Sequence, residues 1–159
     1  MAVRSLLFTF LLGVPLAAQV TGTWKLTSQP DLPALIEQAT ATMRPAARAR
    51  ARDQLKKNNP VCRRITIAHA AGYITIGCDD HRPQRMPDSA LALPWTGADG
   101  QKYLISARME GADLIQTLMG EDGMRKRVFR VDHGVLTLRV TVKAAALPKP
   151  FTYALTYRL

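Results

Sequence analysis

The sequence contains few acidic residues, only 12 Asp and Glu against 22 Lys and Arg. All of the acidic residues can be placed on predicted helices, at turns or at strand ends, and none lies inside a predicted strand. General acid–base catalysis needs paired groups held in a desolvated cleft. The interior of a β-barrel built from these strands would offer no such pair, although loops could assemble one. We therefore predict that the protein is not an enzyme.

The sequence also lacks the short motifs of nucleophilic and metal-assisted catalysis. It contains no His-Glu-x-x-His, Gly-x-Ser-x-Gly, Cys-x-x-Cys or phosphate-binding glycine loop. The nearest cluster of metal ligands is Asp79-Asp80-His81, whose adjacent side chains could converge on one ion only with unusual backbone geometry. A polar turn before Pro83 is the simpler interpretation. We expect no metal and no cofactor.

A long apolar run occurs only at the N-terminus. Arg4 precedes the apolar stretch Leu6–Val14, and the small residues of Pro15–Ala18 follow, which is the order of a secretory signal. The stretch is far shorter than the roughly 20 residues that span a bilayer, so a retained anchor is the weaker alternative. There is no cysteine near the cleavage point, so the sequence does not indicate a lipoprotein anchor. We predict that residues 1–18 are removed and that residues 19–159 form one monomeric domain in the periplasm or outside the cell.

From Arg64 onward, short runs of alternating hydrophobicity are separated by Gly and Asp-Gly turns, which predicts hairpins rather than crossover helices. One strand, Thr23–Thr27, is predicted before this region. The strands predicted within it are Ile65–Ile67, Tyr73–Ile76, Tyr103–Ala107, Leu114–Leu118, Arg127–Val131, Val135–Val142 and Phe151–Tyr157. About eight strands are expected after the helices, and a new strand about every ten residues suits a sandwich or barrel. The fold class is therefore mostly β.

A two-helix insertion, residues 31–57, is predicted after the first strand. Apolar residues recur at helical spacing from Asp31 to Met43, with Asp31 as the cap. Pro45 should end or kink this helix, and strong helix formers continue from Ala46 to Lys57.

The second helix is strongly basic. Its cationic residues, against the single acid Asp53, are Arg44, Arg48, Arg50, Arg52, Lys56 and Lys57. Such a helix could bind an anionic membrane surface, or it could be a solvated face that covers one end of the sheet. A nucleic-acid site is not expected, because no aromatic residues are interleaved for stacking. The formal charge of +10 favours acidic partners in general.

The cysteines, Cys62 and Cys78, flank a predicted hairpin, and export would place them where disulfides persist. We predict that they pair. The simplest register sets Ile67 opposite Ile74, which places Cys78 across from Arg63. A bulge near Pro60–Arg63 would then be needed to bring the two sulfur atoms together.

A resemblance to a known family enters at the two ends of the predicted sheet. Gly22-Thr23-Trp24 on the first strand, the β meander and the C-terminal Tyr157-Arg158 resemble the lipocalin and fatty-acid-binding protein group, and the exported bacterial lipocalin-like proteins within it. The resemblance implies that Gly22 and Trp24 open a barrel and that Arg158 packs across Trp24. It also implies that the helices cover the barrel as a lid. One departure is Leu155, which stands where that group has the arginine of a carboxylate-binding Arg-x-Tyr.

These observations predict an antiparallel meander that closes into a lipocalin-like barrel or half-barrel. The predicted function is extracytoplasmic binding of a hydrophobic or amphipathic small molecule. The predicted lining of the cup is Trp24, Tyr103, Ile105, Phe129, Leu138, Tyr153 and Tyr157. The alternative is a structural or envelope-interaction protein whose interior is packed. An empty or a filled interior distinguishes the two.

Overall fold

The computed structural model describes residues 19–97 and 100–159. The predicted signal peptide, residues 1–18, lies outside the described residues. The elements in chain order are β1 (Gly22–Ser28), α1 (Leu32–Thr40), α2 (Pro45–Asn58), β2 (Arg64–Ala70), β3 (Tyr73–Cys78), β4 (Gln84–Pro87), β5 (Leu93–Thr96), β6 (Lys102–Glu110), β7 (Asp113–Met119), β8 (Gly123–Asp132), β9 (Val135–Ala144) and β10 (Phe151–Arg158). None of the described helices combines the length and apolarity that spanning a bilayer requires.

The strands form one ten-stranded antiparallel sheet in the order β4-β3-β2-β1-β10-β9-β8-β7-β6-β5. The segment after β4 then meets β6 through a bridge between Ser89 and Arg108 and a 3.1 Å hydrogen bond from the Ala90 amide to the Ala107 carbonyl. The sheet is therefore a nearly closed barrel with two helices inserted after its first strand. The predicted fold class is confirmed.

Every predicted strand is present, and two short strands on either side of the closure were missed. β4 and β5 have four residues each and include Pro87 and Pro94. Proline cannot donate a ladder hydrogen bond and is tolerated at sheet edges. These strands carry no readable alternation, because each is too short and contains a proline. We name the end of the barrel that leads from β1 into α1 the open end, and its opposite the closed end.

The β2–β3 hairpin corrects the predicted register. Its turn consists of Ala71 and Gly72, both at positive φ (51° and 76°), as a two-residue hairpin turn requires. Ile67 consequently pairs with Ile76, and Ile65 with Cys78. The predicted pairing of Ile67 with Ile74 was therefore wrong by two residues.

The corrected register does not set the cysteines opposite each other, and they meet because the chain bends at Arg63, just before β2. Cys78 lies opposite Ile65, and Cys62 lies just before β2. The two sulfur atoms are bonded at 2.01 Å, with their Cα atoms 5.3 Å apart. The predicted disulfide is confirmed.

The helices begin where the sequence predicted but divide differently. Asp31 caps α1 by accepting a 3.0 Å hydrogen bond from the Ala34 amide. The helix ends at Thr40, and Pro45 opens α2 in its first turn instead of ending α1. This position suits proline, because the first helical amides have no partner within the helix.

Candidate functional site

The structure places all the predicted lining residues in the interior of the barrel. Most of them are buried, and Tyr103 is half-buried. The strict alternation of β10, whose Phe151, Tyr153, Leu155 and Tyr157 are all buried, shows how the period of two selects one face. Their contact with a ligand stays a prediction.

Trp24 lies deep in the barrel, but its expected partner does not reach it. The indole of Trp24 is 1% exposed and donates a 2.9 Å hydrogen bond to the carbonyl of Val20. Arg158 pairs with Lys25 on the outer face and is exposed. The predicted packing of Arg158 across Trp24 is therefore wrong, because the register turns Arg158 to the opposite face of the sheet from Trp24.

The interior between the middle and the closed end is packed. The space that Phe129, Leu138, Tyr153 and Tyr157 border has a volume of only about 10 Å³. A volume of this size holds about one water molecule. These side chains pack as a core around this small space.

A larger cavity lies at the open end, beneath α2. Its volume is about 580 Å³, within the usual range for small-molecule sites. Among the residues that line it are Leu55, Asn58, Tyr103, Leu118, Arg125, Val142 and Leu147. Of the predicted lining residues, only Tyr103 is among them. The cavity is therefore one layer closer to the helices than the sequence predicted.

Arg127 on β8 is the unexpected residue of the interior. It pairs with Gln116 and Val140, both buried, and so points into the barrel. Its guanidinium donates to the side-chain oxygen of Gln116 at 3.4 Å. No described acidic residue forms an ion pair with it. Burial, and next the nearby positive charge of Arg125, lower the pKa of Arg127 to about 10.

Arg127 lies between the cavity and the packed core. Arg125 lines the cavity, and Arg127 follows two residues later on the same face, a step of about 7 Å along a strand. Gln116 extends these contacts to β4, because its side-chain amide nitrogen donates a 2.8 Å hydrogen bond to the side-chain oxygen of Gln84. A polar network thus crosses the barrel from β8 through β7 to β4.

Two tyrosines complete the surroundings of Arg127. Burial raises the pKa of Tyr153 and of Tyr157, and the positive charge of Arg127 opposes both shifts. The Tyr157 hydroxyl donates to the Cys62 carbonyl at 3.1 Å. The Tyr153 hydroxyl has no hydrogen-bond partner in the described part of the chain. Arg127 and Tyr153 could therefore both donate to an anion.

We expect Tyr157→Phe to lower the free energy of unfolding by about 1 to 2 kcal/mol, because the Cys62 carbonyl loses its buried donor. Urea denaturation followed by circular dichroism measures the change. Tyr153→Phe is the matched control, since its hydroxyl makes no such bond, and it should leave the unfolding midpoint nearly unchanged. Equal losses in the two variants would contradict the structural role of the Tyr157 hydroxyl.

Sequence reasoning missed Arg127, although its signal was present. Phe129 was predicted to face inward, and residues two apart on a strand share a face. The same alternation places the side chains of Arg127 and Arg125 on the inward face as well. The predicted strand began at Arg127, whereas β8 begins at Gly123, so Arg125 lay outside the predicted element.

The basic helix is only partly a free surface. Arg48 donates to the carbonyls of Ala41 and Met43 after α1, and Arg52 pairs with Glu37 of α1. These arginines fasten α2 to α1. The remaining cations of the predicted basic surface, Arg44, Arg50, Lys56 and Lys57, are exposed.

No family model matches the sequence, and no curated protein matches it. Several solved structures are similar. Fatty-acid-binding protein 1 of Echinococcus granulosus has 13% sequence identity and a TM-score of 0.57, over 89% of this chain and 97% of that chain. Lipid binding protein 8 of Caenorhabditis elegans has 9% identity and a TM-score of 0.58, over 89% and 95%. Zebrafish ileal bile acid-binding protein, solved with cholic acid, has 15% identity and a TM-score of 0.53, over 87% and 96%. This chain therefore has the calycin fold of the fatty-acid-binding and lipocalin group.

Proposed function

We propose that this protein is an extracytoplasmic binding protein for an amphipathic small molecule that carries an anionic group. The apolar part of the ligand occupies the cavity beneath α2, and the anionic group binds Arg127. The observation that carries this proposal is the guanidinium of Arg127, which points into the barrel below a 580 Å³ cavity without an ion-pair partner in the described part of the chain.

An unpaired cation inside a protein is unfavourable, because the loss of hydration is not repaid by a counter-charge. A ligand anion would supply that counter-charge. Arg127 donates through a planar fork that matches a carboxylate, and the Tyr153 hydroxyl adds a second donor. Leu155 stands where the fatty-acid-binding group has an arginine. Its presence does not exclude carboxylate binding here, because β8 supplies a cation instead.

The similar structures support the same class of ligand. Their names describe proteins that bind fatty acids, lipids and bile acids. These ligands are amphipathic, and several carry a carboxylate. The cavity here has apolar side chains, including Leu55, Leu118 and Val142, next to charged ones. This combination suits a molecule with an apolar body and a charged end.

Two features support an extracytoplasmic site of action. The N-terminal sequence has the order of a secretory signal, and Cys62 and Cys78 are disulfide-bonded. Disulfides persist in oxidising compartments and are rare in reducing ones.

One observation favours the alternative, a structural protein of the envelope. The interior from Phe129 to Tyr157 is packed and has space for about one water molecule. In that case Arg127 would be a tolerated, half-buried charge, and no amphiphile would stabilise the fold. The two functions therefore predict opposite results in one experiment.

We expect oleate to raise the stability of the purified protein, and oleyl alcohol to raise it much less. At a hundredfold excess over its dissociation constant, a ligand that binds only the folded state adds about 2.7 kcal/mol. Melting scans with both compounds, together with native mass spectrometry of freshly purified protein, measure the effect. If no amphiphile shifts the melting temperature and no adduct is found, the structural alternative takes the place of this proposal.

A further inference from the structure

A row of apolar side chains, of which Met124 is half-buried and the others are exposed, crosses the outer face of the barrel at its open end. Leu104 on β6 is 49% exposed, and its cross-strand partner Met119 on β7 is 51% exposed. Pro94 pairs with Leu104 on one side, and Met124 pairs with Met119 on the other. Directly paired residues lie on the same face of a sheet. We name this row, Pro94, Leu104, Met119 and Met124, the apolar stripe.

The apolar stripe spans four adjacent strands, a width of about 14 Å at the usual spacing between strands. Single exposed apolar residues are common, but a contiguous row marks an interaction site more often. The same strands that form the open end of the cavity carry it. The β7–β8 turn, Gly120–Gly123, lines the cavity together with Met124, and Met119 flanks that turn on the outside.

The charges beside the apolar stripe are mostly positive. Lys143 pairs with Met124, and Lys102 and Lys126 each lie two residues from a member of the stripe on the same face. The acids nearby are Glu121 and Asp122 in the β7–β8 turn.

α2 adds further positive charge at this end of the barrel. The Arg125 guanidinium donates to the carbonyl of Asn58, so the last turn of α2 lies against β8. Lys56 and Lys57 belong to that turn and are exposed, as is Arg50 earlier in the helix.

We propose that the apolar stripe docks on an anionic lipid bilayer, with its side chains in the interfacial region and the surrounding lysines against the headgroups. Apolar side chains next to Lys and Arg are the arrangement that binds such surfaces, because apolar burial and attraction to anionic lipid add together. Docking in this orientation brings the opening of the cavity to the membrane. The proposal goes beyond ligand binding and stands on different residues.

The experiment measures cosedimentation of the full chain with phosphatidylcholine vesicles and with mixed phosphatidylcholine–phosphatidylglycerol vesicles. We expect binding to the mixed vesicles, with at least a tenfold loss for the double variant Leu104→Ser, Met119→Ser, because each side chain gives up apolar burial. Lys126→Gln with Lys143→Gln should weaken binding to the mixed vesicles alone, and added salt should do the same. Leu159→Ser, at an apolar residue that is 73% exposed near the closed end, is the matched control and should bind as the wild type does.

A second readout locates the contact. The tryptophan of Met119→Trp should shift its emission to shorter wavelength when mixed vesicles are added, since the ring leaves water.

Equal vesicle binding by the wild type and the Leu104→Ser, Met119→Ser variant would overturn the proposal. So would a wild-type dimer on gel filtration that this variant converts to a monomer without a change in vesicle binding, because the stripe would then join two copies of the chain. Oleate binding by the same variant should be unchanged, which separates this test from that of the proposed function.

Discussion

Arg127→Met is expected to weaken oleate binding about a hundredfold while leaving the binding of oleyl alcohol nearly unchanged. A hundredfold loss corresponds to about 2.8 kcal/mol of binding free energy. This is the range expected when the charged donor of a charge-assisted hydrogen bond is removed and the carboxylate of the ligand is left without a partner. Methionine retains an unbranched side chain of similar reach, so the shape of the cavity floor is largely kept. Calorimetric or fluorescence titration with both compounds measures the difference.

The same substitution should not lower the stability of the unliganded protein. Burial holds the pKa of Arg127 near 10, below its ordinary value in the unfolded chain. The folded state therefore binds this proton less tightly, and the positive charge destabilises the fold at every pH below about 10. As pH rises above about 10, this cost disappears. Removing the charge should raise the free energy of unfolding at neutral pH by up to about 3 kcal/mol.

The pH dependence of binding gives an independent check. Oleate binding by the wild type should fall as pH rises through about 10, because Arg127 loses its charge there. Arg127→Met should show no such fall in that range.

Lys126→Met is the matched control for net charge. It removes a cation from the neighbouring position, which faces the outside of the barrel, and should leave oleate binding unchanged. If Lys126→Met and Arg127→Met weaken binding equally, the effect comes from the overall field of the protein, and Arg127 does not hold the ligand anion.

The strands could be predicted from the sequence because their signal is local. Tyr153, Leu155 and Tyr157 alternate with polar residues, and the structure buries each of them. The helical insertion could be predicted for the same reason, since Asp31 and the spacing of apolar residues act within a few turns. β4 and β5 could not, because their prolines and their length of four residues leave no pattern to count.

The site could be predicted only in part, because its position depends on contacts between distant strands. The sequence predicted an inward face, and the alternation was enough for that. Which level of the barrel is filled depends on how the rings of Phe129, Tyr153 and Tyr157 meet across the interior, and this packing is set by register. The register of the β2–β3 hairpin in turn depends on whether the turn uses Ala70-Ala71 or Ala71-Gly72. Both are possible in the sequence, and the positive φ of both turn residues favours the pair that contains glycine.

Replacing both cysteines, Cys62→Ala with Cys78→Ala, is expected to lower the free energy of unfolding by about 3 kcal/mol. The disulfide joins residues 16 apart in the sequence, and closing a loop of this length removes about that much entropy from the unfolded chain. Urea denaturation of the oxidised wild type and of the double variant measures the loss. Wild-type protein unfolded in the presence of a reductant is the control and should match the double variant. A double variant as stable as the oxidised wild type would show that the disulfide does not stabilise this fold.

The disulfide should also act on the interior through Tyr157. Its hydroxyl donates to the carbonyl of Cys62, so this hydrogen bond holds the segment before β2 against β10, while the disulfide holds the same segment against β3. If the segment loosens when the disulfide is removed, the hydrogen bond contributes less. In the oxidised protein, Tyr157→Phe is expected to lower the free energy of unfolding by about 1 to 2 kcal/mol, the loss of one hydrogen bond. In the cysteine-free background, the same substitution should lower it by less. A double-mutant cycle across the three substitutions gives the coupling free energy directly. Additive losses would mean that the Cys62 carbonyl keeps its position without the disulfide, and that β2 alone fixes the wall beside Arg127.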